Sequence, residues 1–185
     1  MKKIFISEKI WEFDLETALG EISAQRREQA LKFKFELGQR LCVLAYQLLK
    51  QGLHEEYGIT ENPVFDYNEH GKPSIVGHPE IFFNLSHCKE AAACVVSDHP
   101  VGIDVEGIRE YKESLVSYTM NNDEICEIKS SEHPDAAFIR LWTMKEATMK
   151  LVGTGISNDM KTVIDTSIYK YTTVVRQRYI YTVCE

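Results

Sequence analysis

Asp104 and Glu106 stand in VGIDVE, residues 101–106, a run otherwise composed like a buried strand. Side chains alternate along a strand, so the two acids share one face about 7 Å apart while Ile103 and Val105 turn the other way. An ionised carboxylate resists burial unless a cation or a set of donors compensates it. Two acids on one face suit a hard cation such as Mg²⁺, which takes oxygen ligands and shares them with substrate phosphates. A solvated edge strand carries the same pattern, so the pair alone leaves both readings open.

A second group lies in RLWTMKEATMK, residues 140–150. At helical spacing Trp142, Glu146, Met149 and Lys150 share a face, and Glu146 precedes Lys150 in the favourable order for an ion pair. A plain surface helix with Trp142 in the core has the same spacing, and Lys145 fits that reading equally well. In FNLSH, residues 83–87, Ser86 and His87 end a strand and offer a hydroxyl and an imidazole to a phosphate. Lys72, in GKP, is a turn lysine or a binding one.

Positioning these groups requires an ordered set of elements. KKIFIS reads as an opening strand, and Ile22 to about Leu53 reads as one helix with apolar residues at Ala30, Phe33, Leu37, Leu41, Leu44, Ala45 and Leu48 and Ser23 as its N-cap. Residues 54–80, with three glycines and three prolines, read as connections around short strands. IFFNLSH and AAACVVS are two strands, and VGIDVE follows after His99-Pro100, the expected seam. Helical patterns cover Tyr111–Lys129 and Asp135–Leu151, and SIYKYTTVVRQRYIYTV reads as a hairpin or meander. Each half therefore offers a helix and several strands, an α+β pattern met twice.

Composition removes several classes of function. With 44% hydrophobic and 26% charged residues the 185-residue chain is expected to fold as one unit. A formal charge of -7 argues against the broad basic surface of a nonspecific nucleic-acid binder. Five cysteines without a C-x-x-C pair indicate neither a disulfide framework nor a zinc ribbon, which fits a reducing, cytoplasmic setting. The opening apolar run is too short for a signal-peptide core, and no stretch approaches a membrane span.

Taken in order, GKP, FNLSH, VGIDVE, LWTMKEATMK and the turn with Gly153 and Gly155 resemble the 4'-phosphopantetheinyl transferase superfamily, Sfp-like type. The signatures G-I-D-x-E and W-(S/T/C)-x-K-E-(A/S)-x-x-K are both complete, and the match runs from about Gly71 to Ile156, with a looser echo from Arg26 to Arg40. The resemblance implies a fold of two similar α+β lobes in a pseudo-twofold arrangement: a nucleotide-side lobe, residues 1–98, and a lobe of acids and catalytic helix, residues 99–185. It implies a monomer with coenzyme A in the cleft and Mg²⁺ as cofactor. The activity implied is transfer of 4'-phosphopantetheine to a serine of an apo carrier protein, releasing adenosine 3',5'-bisphosphate.

On the matching positions, Asp104, Glu106 and Glu146 are implied metal ligands, with Glu146 also the candidate base and Lys150 the charge-stabilising catalytic lysine. Arg26, Arg40, Lys72, Ser86, His87 and Lys145 are implied to contact coenzyme A. Gln29 stands where relatives often carry a basic residue. Two rivals remain: a metal-dependent phosphohydrolase or nuclease, against which Ile108 stands where a lysine is wanted, and a non-catalytic coenzyme A or carrier-binding module. A P-loop in GISNDMKT lacks the second glycine before its lysine.

Overall fold

A strand from Lys2 to Ser7 (β1) leads into a short helix, Leu15–Glu21 (α1), begun where the Asp14 side chain accepts from the Thr17 amide. The structure is a computed structural model and describes residues 1–153 and 160–185. The expected single helix from Ile22 to Leu53 is two helices, Ala24–Leu31 (α2) and Glu36–Tyr57 (α3). Ser23 caps α2 by accepting from the Arg26 amide, as its position predicts. The break at Phe33 to Phe35 has a packing cause. A Cβ on Gly38 would lie 2.6 Å from the Phe33 ring, so the glycine lets that ring fold onto the first turns of α3. The fold-back also lets Arg26 reach the Cys42 carbonyl, with Nη2 at 2.9 Å.

The strands Phe65–Tyr67 (β2) and Pro73–Ile75 (β3) form a small antiparallel ribbon, then Phe82–His87 (β4) and Ala92–Ser97 (β5) form a hairpin. Gly102–Gly107 (β6) carries the two acids. The helical pattern over Tyr111–Lys129 also divides, into Glu113–Thr119 (α4) and Asn122–Ser130 (α5). The stop is a capping box, in which Asn121 accepts from the Glu124 amide while the Glu124 side chain accepts from the Asn121 amide. Pro134–Val152 (α6) follows, with proline in its first turn and Gly153 at φ 74° as its left-handed cap. Tyr171–Val175 (β7) and Tyr179–Cys184 (β8) close the described chain as a hairpin.

Mixed helix and sheet, the α+β class, is thus observed. The larger sheets run β1-β5-β4 and β6-β8-β7, antiparallel throughout. In each, a strand is followed after a long helix by a hairpin whose second strand pairs with the first. Helix α3 covers one face of the first sheet and α6 one face of the second. The opposite faces meet in a shared apolar layer in which Ala93 and Val95 of β5 pack with Ile103 and Val105 of β6 and with Tyr181 and Val183 of β8. Alternation then turns Gly102, Asp104 and Glu106 toward α6, and that parity builds the site.

Candidate active site

Helix α6 descends onto β6 at Gly102. A Cβ there would strike the Ala147 carbonyl oxygen and lie 2.6 Å from the Leu151 nitrogen, so only glycine admits this approach. The closeness carries Lys150 to Asp104: its ammonium lies 2.6 Å from Asp104 Oδ1 and 2.9 Å from Ser86 Oγ. Ser86 in turn donates to Asp104 Oδ1 at 2.9 Å. Asp104 is 3% exposed, and its second oxygen, Oδ2, is buried with no hydrogen-bond partner among the described residues. A buried anionic oxygen without a donor is costly, and a cation is the species that relieves it.

Glu146 and Glu106 feel this charge. Burial pushes the Glu146 carboxyl above the usual carboxylate range, and the Asp104 charge pushes it further, while Lys150 pulls the other way. Glu106 is raised for the same two reasons, burial first and Asp104 second, with the Arg109 guanidinium, 2.9 Å away, opposing them. The three acids thus lie within each other's electrostatic reach. Among the described residues, no group of three or more His, Cys, Asp or Glu stands close enough to enclose a metal ion. The donor chemistry still fits a hard divalent cation: three carboxylates, one oxygen orphaned, and two neighbours destabilised as anions by burial and then by the first.

Two cavities flank the cluster and share Gly71, Pro73, Asn84 and Lys150. The first, about 200 Å³, is lined by His70, Lys72, Glu146, Met149 and Gly153 among others. Lys72 Nζ donates to the Leu151 carbonyl at 2.6 Å, closing the end of α6 from the β2–β3 turn, and burial lowers its pKa. The second cavity, about 340 Å³, is lined by Arg26, Gln29, Phe33, Ser86 and His87 among others. Burial holds His87 below the usual imidazole range, and the Arg26 and Lys150 cations lower it further. Both cavities therefore carry cations, Lys72 in the first and Arg26 in the second with Lys150 common to the two, and the first adds the carboxylate of Glu146.

Arg26, Lys72, Ser86, His87, Asp104, Glu106, Glu146 and Lys150 are thus held on or near one cleft. Two expected contacts are not. Lys145 is 0% exposed and its ammonium is taken by Glu124 at 2.7 Å and the Met160 carbonyl at 2.7 Å, because it occupies the core side of α6. Arg40 lines neither cavity: it pairs with Glu36, donates to the Phe13 carbonyl at 2.7 Å and lies over the Trp11 ring. The Gly155 and Ile156 end of the sequence match, and most of GISNDMKT, lie outside the described residues. Two residues with structural work here carried no expectation: Glu124, signalled by its capping box, and Asn84, present in FNLSH but inconspicuous as a neutral strand residue.

Residues 100–179 match the model of the 4'-phosphopantetheinyl transferase superfamily. The chain is 35% identical over 139 residues to the 4'-phosphopantetheinyl transferase psf-1 of Bacillus pumilus, covering 74% of this chain and 60% of the relative. It is 37% identical over 140 residues to the 4'-phosphopantetheinyl transferase gsp of Aneurinibacillus migulanus, covering 74% and 58%. Against the 4'-phosphopantetheinyl transferase Sfp of Bacillus subtilis (strain 168) identity is 25% over 157 residues, 83% of this chain and 70% of the relative. The aligned segment spans about three fifths of the length of the first two relatives. Through its carboxy-terminal half, which holds Asp104, Glu106, Glu146 and Lys150, the chain belongs to the 4'-phosphopantetheinyl transferase superfamily, with likeness to the Sfp-like type extending over most of its length.

Proposed function

We propose that this chain transfers the 4'-phosphopantetheine group of coenzyme A to a serine of an apo carrier protein. The observation that carries the reading is the meeting of Asp104, Ser86 and Lys150 on the wall between two cavities, with Glu146 on one side and Arg26 and His87 on the other. In the reaction the serine oxygen bonds to the phosphorus that bears pantetheine, the pyrophosphate P–O bond breaks, and adenosine 3',5'-bisphosphate leaves with the other phosphate. No nucleophile is required of this chain.

Glu146, a carboxylate on the cavity wall beside Lys150, accepts the serine proton. Lys150 stabilises charge on the transferring phosphate, and Arg26, Lys72, Ser86 and His87 bind the anionic parts of coenzyme A. Asp104, Glu106 and Glu146 would hold Mg²⁺, which when bound would neutralise the diphosphate charge. The repeated strand order supports reading residues 1–98 and 99–185 as two lobes in a pseudo-twofold arrangement. Among the described residues no helix is long and apolar enough to cross a membrane, and the acidic balance disfavours nucleic acid as a partner. We take the working form to be a cytoplasmic monomer that meets its carrier transiently.

The test is a mass-shift assay with coenzyme A, Mg²⁺ and a panel of apo carriers. The carrier serine is expected to gain one phosphopantetheine. Glu146→Gln should cut turnover by roughly 10²-fold or more while retaining coenzyme A binding. Absence of transfer to every carrier refutes the proposal, and unchanged turnover in Glu146→Gln removes that side chain from the mechanism.

A further inference from the structure

Strands β4 and β6 are the facing edges of two different sheets, and no backbone ladder joins them. Side chains of β4 do so instead. Asn84 Oδ1 accepts from the Ile103 amide at 2.9 Å, and two residues on Ser86 Oγ accepts from the Val105 amide at 3.3 Å. The two amides flank Asp104. The acid is thus held between two points fastened to the other sheet, while its own side chain meets Lys150 from above. Asn84 is 6% exposed and lines both cavities, so the fastening lies inside the cleft rather than behind it.

We propose that Asn84 is a positioning residue: by holding the Ile103 amide it fixes the placement of β6, and hence of Asp104, against Lys150 and the cleft. The inference rests on the transferase reading for its kinetic consequence, and on the geometry alone for its structural one. Ser86 cannot substitute, because its hydroxyl already accepts from Val105 and Lys150 and donates to Asp104. An asparagine is suited to the position. Its carbonyl oxygen stands one bond further from the backbone than a serine hydroxyl, and it adds no charge beside Asp104 and Glu146.

Amide hydrogen exchange of the intact protein, read residue by residue, tests the structural half. In Asn84→Ala the Ile103 amide should exchange at least about tenfold faster while Val95, in the centre of the first sheet, keeps its protection. Asn84→Asp, isosteric and retaining the acceptor oxygen, should restore protection at Ile103 but not turnover, since it sets a further anion beside Asp104, and Val95 supplies the folded control in both variants. The kinetic half is a division of effects: in Asn84→Ala, kcat for carrier loading should fall roughly 10- to 100-fold while the Kd for coenzyme A stays within about twofold. Unchanged exchange at Ile103 overturns the fastening. Lost protection with unchanged kcat, or a loss confined to coenzyme A affinity, overturns the positioning role. A wild-type chain inactive on every carrier sinks the transferase reading instead, and the exchange comparison then decides this one.

Discussion

The two β–α–β–β units share a strand order and differ at the point where helix meets sheet. In the first, the relieving glycine is on the helix: a Cβ on Gly52 of α3 would meet the Phe5 ring at 2.8 Å and the Val96 methyls at 3.1 and 3.2 Å. In the second, it is on the strand, and the obstacle at Gly102 is helix backbone. Removing a side chain from the helix makes room for an aromatic ring and yields an apolar seal. Removing it from the strand lets the helix backbone settle on the strand, and polar side chains on either side of the crossing converge. The helices follow suit. Buried positions of α3 hold Leu49, Leu53 and Tyr46, whereas those of α6 include Thr143, Lys145 and Thr148. One unit is built to be closed and the other to keep charges in register.

That contrast is broken most severely at Lys145. Lys145→Met leaves the Glu124 carboxylate in the core without its cation, which costs about 3–5 kcal/mol of stability. Urea unfolding checks the value, and a loss below about 1 kcal/mol would mean the ion pair is dispensable. The glycines come next. Gly102→Ala should cost about 3 kcal/mol and reduce transfer, because backbone on both sides must move. Gly52→Ala should stay within about 1 kcal/mol of wild type, since ring and methyl groups yield and alanine's helix preference offsets part of the strain. Equal losses at the two glycines would erase the distinction.

The same difference can be read at the level of charge in the metal-free protein. There the Glu146 carboxyl, followed by NMR of its side chain, should titrate above the usual carboxylate range, because burial and then the Asp104 charge raise it. Asp104→Asn should lower that titration without returning it to the usual range, because burial is the larger cause. A titration unmoved in Asp104→Asn removes the Asp104 charge from the cause. The smallest effect belongs to the first unit: Tyr46→Phe loses one hydrogen bond to the Pro63 carbonyl, about 1 kcal/mol, with turnover unchanged.

The sequence exposes the parts of this design that are periodic or locally punctuated. The strands carrying Ser86, His87, Asp104 and Glu106 follow from alternation, and α6 from its apolar spacing and its Pro134 and Gly153 ends. Continuous spacing hid the break between α2 and α3, since Ala30, Phe33 and Leu37 stay in phase across it and the cause is a ring packed over Gly38. The break before α5 was written in Asn121 and Glu124, a local signal outweighed by the longer apolar pattern. Lys145 and Lys150 look alike in a string of letters, and only the direction in which α6 presents them sends one to Glu124 and the other to Asp104. Asn84 escaped notice because its meaning lies wholly in a strand of another sheet.

Lys72 performs two tasks with one ammonium. It is part of the cleft wall, and it is the final clasp on the last turn of α6. An ammonium carries three N–H donors, so an anion in the cleft shares it with the peptide carbonyl 2.6 Å away, and occupancy of the cleft and fastening of that turn support one another. Thermodynamic reciprocity then requires that whatever holds Lys72 at the helix end strengthens the ligand's grip on it, and that the bound ligand steadies the helix end by the same factor.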